Sequence, residues 1–432
     1  MALGGGTFVV QNKALPGAYI NFVSLAAASA TLSDRGIATM PLELDWGVED
    51  AVFEVTNADF QKNSTKIFGY DFTHEKMKGL RDLFKNITTL YVYRLNGGGE
   101  KAANTYATAK YAGTRGNDLK IVIKTNVDDP SAFDVQTVLG TDVMDKQTVK
   151  VASALADNDW VVFKKEANLT TTAGVALEGG TNKDVTGTEH STYLTKIEAY
   201  SFNAMGVVTT EETVQALYAA FAKRMRDEVG AKFQVVLYNT AADYMGVINV
   251  KNKCEELEAG LVYWVTGVAA GCAVNKSNSN KIYDGEFTVD VDYTQAQLVK
   301  AIQSGEFTLH QVGSDVRVLE DINSMVTTTD FQGEIFKDNQ VIRVIDQIAN
   351  DIALIFNTKY LGTVPNDAAG RISLWADIVK HHEQLQDIRA IENFSDKDVT
   401  VSQGDTKKSV VVDDAIEVIS AMGKLYMTVT VA

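Results

Sequence analysis

Cysteine is almost missing from this chain: Cys254 and Cys272 are the only two in 432 residues. A disulfide framework is therefore excluded as an organising device, and a reducing site of synthesis is expected. Long apolar runs are missing as well. The longest, Leu261–Val274, is broken by Thr266, Gly267 and Gly271 and falls short of the roughly 20 residues that span a bilayer. The opening Met1-Ala2-Leu3-Gly4 has no basic region and no apolar core, so no signal peptide is expected. Positive charge is in deficit, with 40 Lys and Arg against 56 Asp and Glu, a net of −16. That argues against nucleic acid as a partner, because phosphate binding needs a basic footprint. The expectation is a soluble protein made in a cytoplasm, with no membrane insertion.

Recognisable chemistry is the next thing the chain lacks. None of the five histidines, His74, His190, His310, His381 and His382, stands at metal-ligand spacing. His381-His382-Glu383 is a run of neighbours whose side chains fan out around a helix, and it reads as an exposed face. Cys254 has nothing nearby to activate it, and Cys272 lies in an apolar helix, so both read as buried free thiols. Gly97-Gly98-Gly99-Glu100-Lys101 lacks the spacing of a phosphate loop and reads as a flexible hinge. Gly113-Thr114-Arg115-Gly116-Asn117-Asp118 leads into a strand rather than a helix and reads as a tight turn. No catalytic, cofactor or metal site is expected.

What the chain does contain is layered α/β texture interrupted once. At 432 residues it is too long for one core. Residues 1–24 read as an extended arm, in which Pro16-Gly17 turns into Tyr19, Ile20, Phe22 and Val23 with high strand propensity. Residues 25–97 begin an α/β core. It has a strand over Gly36–Leu44 (placed at an edge or bulge by Pro41), a short helix opened by Thr56, Asn57 and Asp59, a helix over His74–Lys85 and a strand over Thr88–Leu95. Residues 98–184 lose the helical period. Short alternating runs at Asn104–Ala109, Leu119–Thr125, Ala132–Leu139, Thr148–Val151, Trp160–Lys164 and Val175–Leu177 indicate an inserted β-sandwich flanked by glycine clusters. Residues 185–332 return to α/β. Helices are expected over His190–Ala199, started near Thr188 or Ser191, and from Thr209 or Thr210 to Val229, stopped by Gly230. A strand is expected over Phe233–Tyr238, an apolar helix over 256–274, and a hairpin through Gly313-Ser314. Residues 333–432 carry helices over Lys337–Leu361 and Asp367–Asp387, then a final hairpin of Val410–Val418 with Lys424–Val431.

That last strand poses the central question. Leu425, Met427, Val429 and Val431 alternate with Tyr426, Thr428 and Thr430, the period of a half-buried strand. A strand at a terminus needs a sheet edge to pair with.

Several segments, in this order, resemble the sheath proteins of contractile phage tails and R-type tailocins. They are Leu15-Pro16-Gly17-Ala18-Tyr19-Ile20, Tyr111–Leu119 with its Gly-Thr-Arg-Gly-Asn-Asp, the Ala/Gly-rich Val265–Asn275 with Ser277-Asn278-Ser279-Asn280, Val316-Arg317-Val318-Leu319-Glu320-Asp321-Ile322-Asn323-Ser324, and the end of the chain with Met422. Gly423 departs from the pattern, which has an acidic residue after the methionine. The resemblance implies an α/β (α+β) core with an inserted outer β-sandwich and extended N- and C-terminal strand arms. It implies a non-enzymatic subunit of hexameric rings stacked around an inner tube, contracting to drive the tube through a target envelope. The partners implied are further copies of the chain, an inner tail tube protein, and baseplate and tail terminator proteins. Assembly would take place in a bacterial cytoplasm. Tyr19, Ile20, Phe22, Val23, Leu425, Met427, Val429 and Val431 would then be strand-exchange residues, and residues 333–432 would lie against the tube. Lys380, His381, His382 and Glu383, at the charged end of the second late helix, are the candidate tube-facing residues. The competing expectation is an α/β enzyme with an inserted β-domain, which would need a cofactor motif or an activated nucleophile that the sequence does not show.

Overall fold

The computed structural model describes residues 32–431. Two compact units divide the described residues, one of residues 34–346 with 420–431, the other of 32–33 with 347–419.

The larger unit is organised by a seven-stranded sheet. Its first elements are β1 (Ile37–Leu42), β2 (Val52–Thr56), α1 (Asn57–Phe68), α2 (Lys78–Phe84) and β3 (Thr89–Arg94). The chain then leaves for an insertion of β4 (Ala107–Ala109), β5 (Leu119–Thr125), β6 (Phe133–Leu139), β7 (Asp142–Val149), β8 (Val161–Phe163) and β9 (Thr172–Ala176). It returns as α3 (Gly187–Ile197), β10 (Ala204–Gly206), α4 (Glu212–Arg224), β11 (Gln234–Tyr238), β12 (Val247–Val250), α5 (Leu261–Gly271), α6 (Gln295–Gln303) and β13 (Glu306–Phe307). A hairpin of β14 (Leu309–Val312) and β15 (Asp315–Val318) follows.

Strand order is β13-β12-β11-β10-β1-β3-β2, parallel except for the edge pair β2–β3. Parallel strands need helical crossovers, and these cover both faces, so central strands read as nearly unbroken apolar runs. Alternate residues of β11 show it: Val236 and Tyr238 join the core with α2 and α5, while Val235 and Leu237 join the core with α3 and α4.

Pro41 was expected at an edge or bulge and lies instead on a central strand. The reason is local. Asn203 N–H donates to Ile37 O and Leu95 N–H to Leu42 O, so alternation turns Pro41 toward β10. The pairing with β10 ends at Thr39↔Met205, and no ladder bond is lost.

Helix starts follow side-chain capping. Thr56 with Asp59, Thr186 with Glu189 and Thr294 with Gln297 each form a reciprocal capping box. The start of α3 is thus Thr186, not Thr188 or Ser191. Helix α6 was not expected, although Thr294-Gln295-Ala296-Gln297 spells its cap. Helix α5 packs on α2 at very close range: a Cβ added to Gly271 would stand 1.8 Å from Asn86 O, and one on Gly267 2.7 Å from Leu83 O. Only glycine fits at such a crossing.

The insertion is a β-sandwich of a four-stranded sheet, β7-β6-β5-β9, and the pair β4-β8. Strand β7 was expected only over its last residues, because its exposed Asp142 and Lys146 and half-buried Asp145 hide the alternation. Trp46, from the β1–β2 connection, completes the sandwich core. It stacks on Trp160 at 5.6 Å between ring centroids and meets Tyr111 edge-on at 5.2 Å.

The glycine clusters flanking the insertion are not a loose hinge. A Cβ on Gly99 would stand 2.0 Å from Thr181 O and one on Gly113 2.1 Å from Asp45 O. The two connecting strands cross in contact around a polar clasp. Asp45 accepts from Tyr70 (2.8 Å), Asn182 (2.9 Å) and Thr114 (3.0 Å), and pairs with Lys76. Buried Arg94 donates to Ala112 O (2.8 Å) and Asn182 Oδ1 (3.2 Å). Burial pushes the Asp45 carboxyl up, but the bonds from Lys76, Asn182 and Tyr70 more than reverse this and hold it well below the ordinary 3.8.

The smaller unit receives the second half of α7 (Asn339–Ile355), then α8 (Ala368–Asp387), β16 (Ile391–Glu392), β17 (Val399–Gln403), β18 (Val410–Asp414) and β19 (Glu417–Val418). The first half of α7 stays in the larger unit. There Asp346 takes two bonds from buried Arg226 (2.6 and 2.7 Å), and Arg343 meets buried Asp321 at 2.6 Å.

Asp45→Ala strands the donors of Tyr70, Asn182 and Thr114 and is expected to cost about 2–3 kcal/mol. Limited proteolysis should then cut first at the connectors near Gly99 and Thr181. Because the folded carboxyl sits below its unfolded value, its contribution is complete above about pH 4 and declines as pH falls from there; acid denaturation of wild type and Asp45→Asn should converge at low pH.

Candidate self-association site

The C-terminal segment leaves the smaller unit in a defined way and then pairs with nothing described. Strand β19 pairs with β16. Ile419 N–H donates to Ala390 O, and Ala421 N–H to Gln340 Oε1 at 3.0 Å. From Met422 to Val431 the described residues show no ladder. Leu425, Met427, Val429 and Val431 are 86%, 75%, 69% and 89% exposed. Burying such side chains is worth on the order of 1.5–3 kcal/mol each. The segment therefore holds both unmet backbone bonds and unburied apolar surface.

The expected final hairpin of Val410–Val418 with Lys424–Val431 is not formed. Val410–Asp414 pairs instead with Val399–Gln403, and Glu417-Val418 with Ile391-Glu392. The β17–β18 register leaves one strand face, Val399 above all, packed on α8. Trp375 Nε1–H donates to Val399 O at 3.0 Å.

The hairpin β17–β18 is itself a sheet of only two strands among the described residues. Gly404 N–H donates to Ser409 O and Ala415 N–H to Asp398 O. Counting inward, the pairs 402/411 and 400/413 bond across the hairpin. Val401 and Gln403 on one strand, and Val410 and Val412 on the other, turn their N–H and C=O groups outward. Val411 and Val412 are exposed. Two-stranded hairpins are marginal alone, and open edges are templates for a further strand.

The candidate tube-facing residues separate. Lys380 and Glu383 are exposed, but His381 and His382 are fully buried. The exposed-face reading of the histidine pair is corrected by helical spacing: Leu374, Ile378, His381, His382 and Leu385 fall at i, i+4, i+7, i+8 and i+11, the inward stripe of α8. That pattern was legible had histidine been counted as a residue that can be buried.

Each imidazole has a carboxylate. His381 Nε2 lies 3.0 Å from Asp351 and His382 Nε2 2.9 Å from Asp414. Asp351 also accepts from Ser33 Oγ (2.5 Å) and Gln347 Nε2 (2.8 Å). Burial pushes the Asp351 carboxyl up, and the bonds from His381, Ser33 and Gln347 bring it below its ordinary value. Tyr19, Ile20, Phe22 and Val23 lie outside the described residues.

Among the described residues no group of His, Cys, Asp and Glu could hold a metal, and no helix is long and apolar enough to cross a membrane. Burial pushes the Cys254 thiol up to about 12, far from a thiolate nucleophile. Cys272 is half-buried just past α5 rather than within it, and burial raises its thiol too. Arg115 and Asp118 pair within the short helical turn Thr114–Asp118 that replaces the expected tight turn.

Four family models match the chain in succession: the tail sheath protein Gp18 domain III N-terminal region over 35–95, the phage tail sheath protein beta-sandwich domain over 97–186, the central domain over 183–324 and the C-terminal domain over 332–432. The phage-like element PBSX protein XkdK of Bacillus subtilis is 32% identical over 99% of this chain and 100% of its own length. A crystal structure of the sheath tail protein of Desulfitobacterium hafniense is 38% identical, with a TM-score of 0.79 over 90% of this chain and 93% of that one. The helical sheath of the anti-feeding prophage in its contracted state shares the fold at 13% identity, with a TM-score of 0.56 over 97% of this chain and 99% of that one.

Asp351→Ala leaves His381, Ser33 and Gln347 without their acceptor in a buried site and is expected to cost about 3–5 kcal/mol, read as a lowered urea midpoint.

Proposed function

This chain belongs to the phage tail sheath protein family, and on that premise we propose that its copies are woven into a contractile sheath by strand exchange. It is a structural subunit of a tail sheath and not an enzyme, so the competing reading as an α/β enzyme is set aside. The observation that carries the proposal is the mismatch in the smaller unit and at the chain end: a hairpin with two open edges, and a terminal strand with no described partner in its own chain.

In this reading Leu425–Val431 of one copy adds to an outer edge of β17–β18 in another, and the segment containing Tyr19, Ile20, Phe22 and Val23 takes the opposite edge. The two-stranded hairpin becomes a four-stranded sheet, each added strand gaining main-chain bonds for affinity and alternating side-chain contacts for register. Copies form hexameric rings that stack on an inner tube protein, between a baseplate and a tail terminator, in a phage tail or tailocin particle assembled in a bacterial cytoplasm. The sandwich of residues 98–184 lies outermost, and residues 333–432 lie toward the tube, with Lys380 and Glu383 the remaining charged candidates there. Contraction repacks whole subunits while exchanged strands keep them linked. The shared fold with a sheath solved in its contracted state supports this reading.

Deleting residues 424–432, or residues 1–22, is expected to leave a folded protein by circular dichroism that no longer forms tubes by electron microscopy. Tubes of normal length from either truncation would rule out arm exchange.

A further inference from the structure

The loop between α7 and α8 is locked to its neighbours on two sides. Helix α7 runs on through a wider turn, Phe356–Tyr360, and Gly362, at φ 71°, then reverses the chain. Asp367 caps α8 by accepting from Gly370 N–H at 2.8 Å. A Cβ on Gly370 would stand 2.1 Å from Pro365 O, so the loop lies directly on the first turn of α8. Asn366 ties the loop to the turn of the β17–β18 hairpin. Its Nδ2–H donates to Ser409 O at 2.8 Å and to Lys407 O at 3.1 Å, and its Oδ1 accepts from Arg371 at 2.9 Å.

These bonds frame a small cavity of about 90 Å³, lined on its apolar side by Phe356, Tyr360, Val364, Leu374 and Val410. Tyr360 and Leu374 are buried, and the Tyr360 hydroxyl is fixed by Ser373 Oγ at 3.0 Å. Leu361, which also lines the cavity, is 62% exposed. The cavity is thus preformed, apolar and open to a visitor.

Val410 belongs to the cavity and to the outer edge of β18 together. Val410 and Val412 turn their N–H and C=O groups outward, with no hydrogen bond to them among the described residues. The outer edge of β17 is different. Val399 O accepts from Trp375 Nε1–H there, so a strand added beside β17 meets that indole at its first outward residue. The pairs 401/412 and 403/410 share the face that packs on α8. A side chain opposite Val410 on a strand added beside β18 therefore falls over the cavity.

Size decides which segment fits. A cavity of about 150 Å³ takes benzene, so 90 Å³ suits an aliphatic side chain and not an aromatic ring. In the segment of Tyr19, Ile20, Phe22 and Val23, strand alternation puts a ring on each face. In the terminal segment, Leu425, Met427, Val429 and Val431 form a face without a ring, and Tyr426 lies on the other.

We propose that this cavity is a socket for one aliphatic side chain, Leu425 or Met427, of a second copy, and that Leu425–Val431 accordingly takes the β18 edge and leaves the β17 edge to the other arm. The proposal rests on the arm-exchange reading and adds to it the edge and the anchor. A preformed socket requires little rearrangement on filling, so burial of the side chain goes into affinity. Main-chain bonds along β18 supply the register.

The test uses the full chain and two measurements. The first is disulfide trapping in assembled tubes, read by mass spectrometry of unreduced peptides. Val411 and Ser402 are paired on the exposed face of the hairpin, the face that Tyr426, Thr428 and Thr430 would share. Val411→Cys, combined in turn with Tyr426→Cys, Thr428→Cys and Thr430→Cys, should cross-link between copies in at least one pairing, because adjacent strands bring Cα atoms to about 5 Å. Ser402→Cys should cross-link with none, being two strands away at about 10 Å. No cross-link from Val411→Cys, or cross-links from Ser402→Cys instead, overturns the edge assignment. If the chain lacking residues 424–432 forms tubes as well, arm exchange falls with it.

The second measurement is the critical concentration for tube formation by sedimentation. Leu425→Ala or Met427→Ala should raise it by about tenfold or more, and Tyr426→Ala by less than about threefold. All three side chains are exposed in the single copy, so these variants fold as wild type does. Val364→Phe fills the socket from its own side and should raise the critical concentration likewise, with an unchanged circular dichroism spectrum. Adding the sensitive alanine to Val364→Phe should make matters no worse. Effects that multiply overturn the socket, as does an unchanged critical concentration in both Leu425→Ala and Met427→Ala.

Discussion

Backbone hydrogen bonding at a strand edge is the constraint on which this protein depends. Every extended residue presents an N–H and a C=O that must find partners in protein or water. Inside the larger unit the requirement is met by parallel pairing from β13 to β3, closed at one edge by antiparallel β2. At the chain end it is not met by any described partner, and the same residues carry exposed leucine, methionine and valine. In the proposed arrangement another copy of the chain supplies the missing pairing.

Within each unit the elements are joined by specific contacts. The seven-stranded sheet is a rigid platform because glycine lets α5 seat directly on α2. The sandwich is fixed to it by Trp46 in its core and by the Asp45–Arg94–Asn182 clasp where the connectors cross. A subunit that must move as a body during repacking needs joints of this kind, and a loose glycine hinge would dissipate the motion. In the smaller unit, the inward stripe of α8 supports the hairpin through Trp375 and the two histidines.

The places where sequence reasoning failed share a cause. Periodicity identified α1, α4, α5, α7 and α8, the strands of the sheet with long apolar runs, and the existence of the inserted β-module. It missed β2, β12, β16, α6 and most of β7, whose short or charged segments carry little pattern of their own. It placed Pro41 at an edge because proline removes a donor, without knowing that β10 spans only three residues. It read His381-His382 as solvated because polarity stood in for position on the helix. The final hairpin was misassigned because local alternation reports that a segment is a strand and says nothing of its partner.

The sequence by itself determined the class of this protein. Its family resemblance, its missing chemistry, its layered α/β core with a sandwich insertion and its alternating terminal strand are properties of local pattern and composition, which survive without knowledge of distant neighbours. Tertiary structure alone decided the pairings: Val410–Asp414 with Val399–Gln403, Asp414 with His382, and Leu425–Val431 with no described strand of its own chain. Pairing depends on which edges geometry leaves open, and an open edge is a fact about the folded molecule.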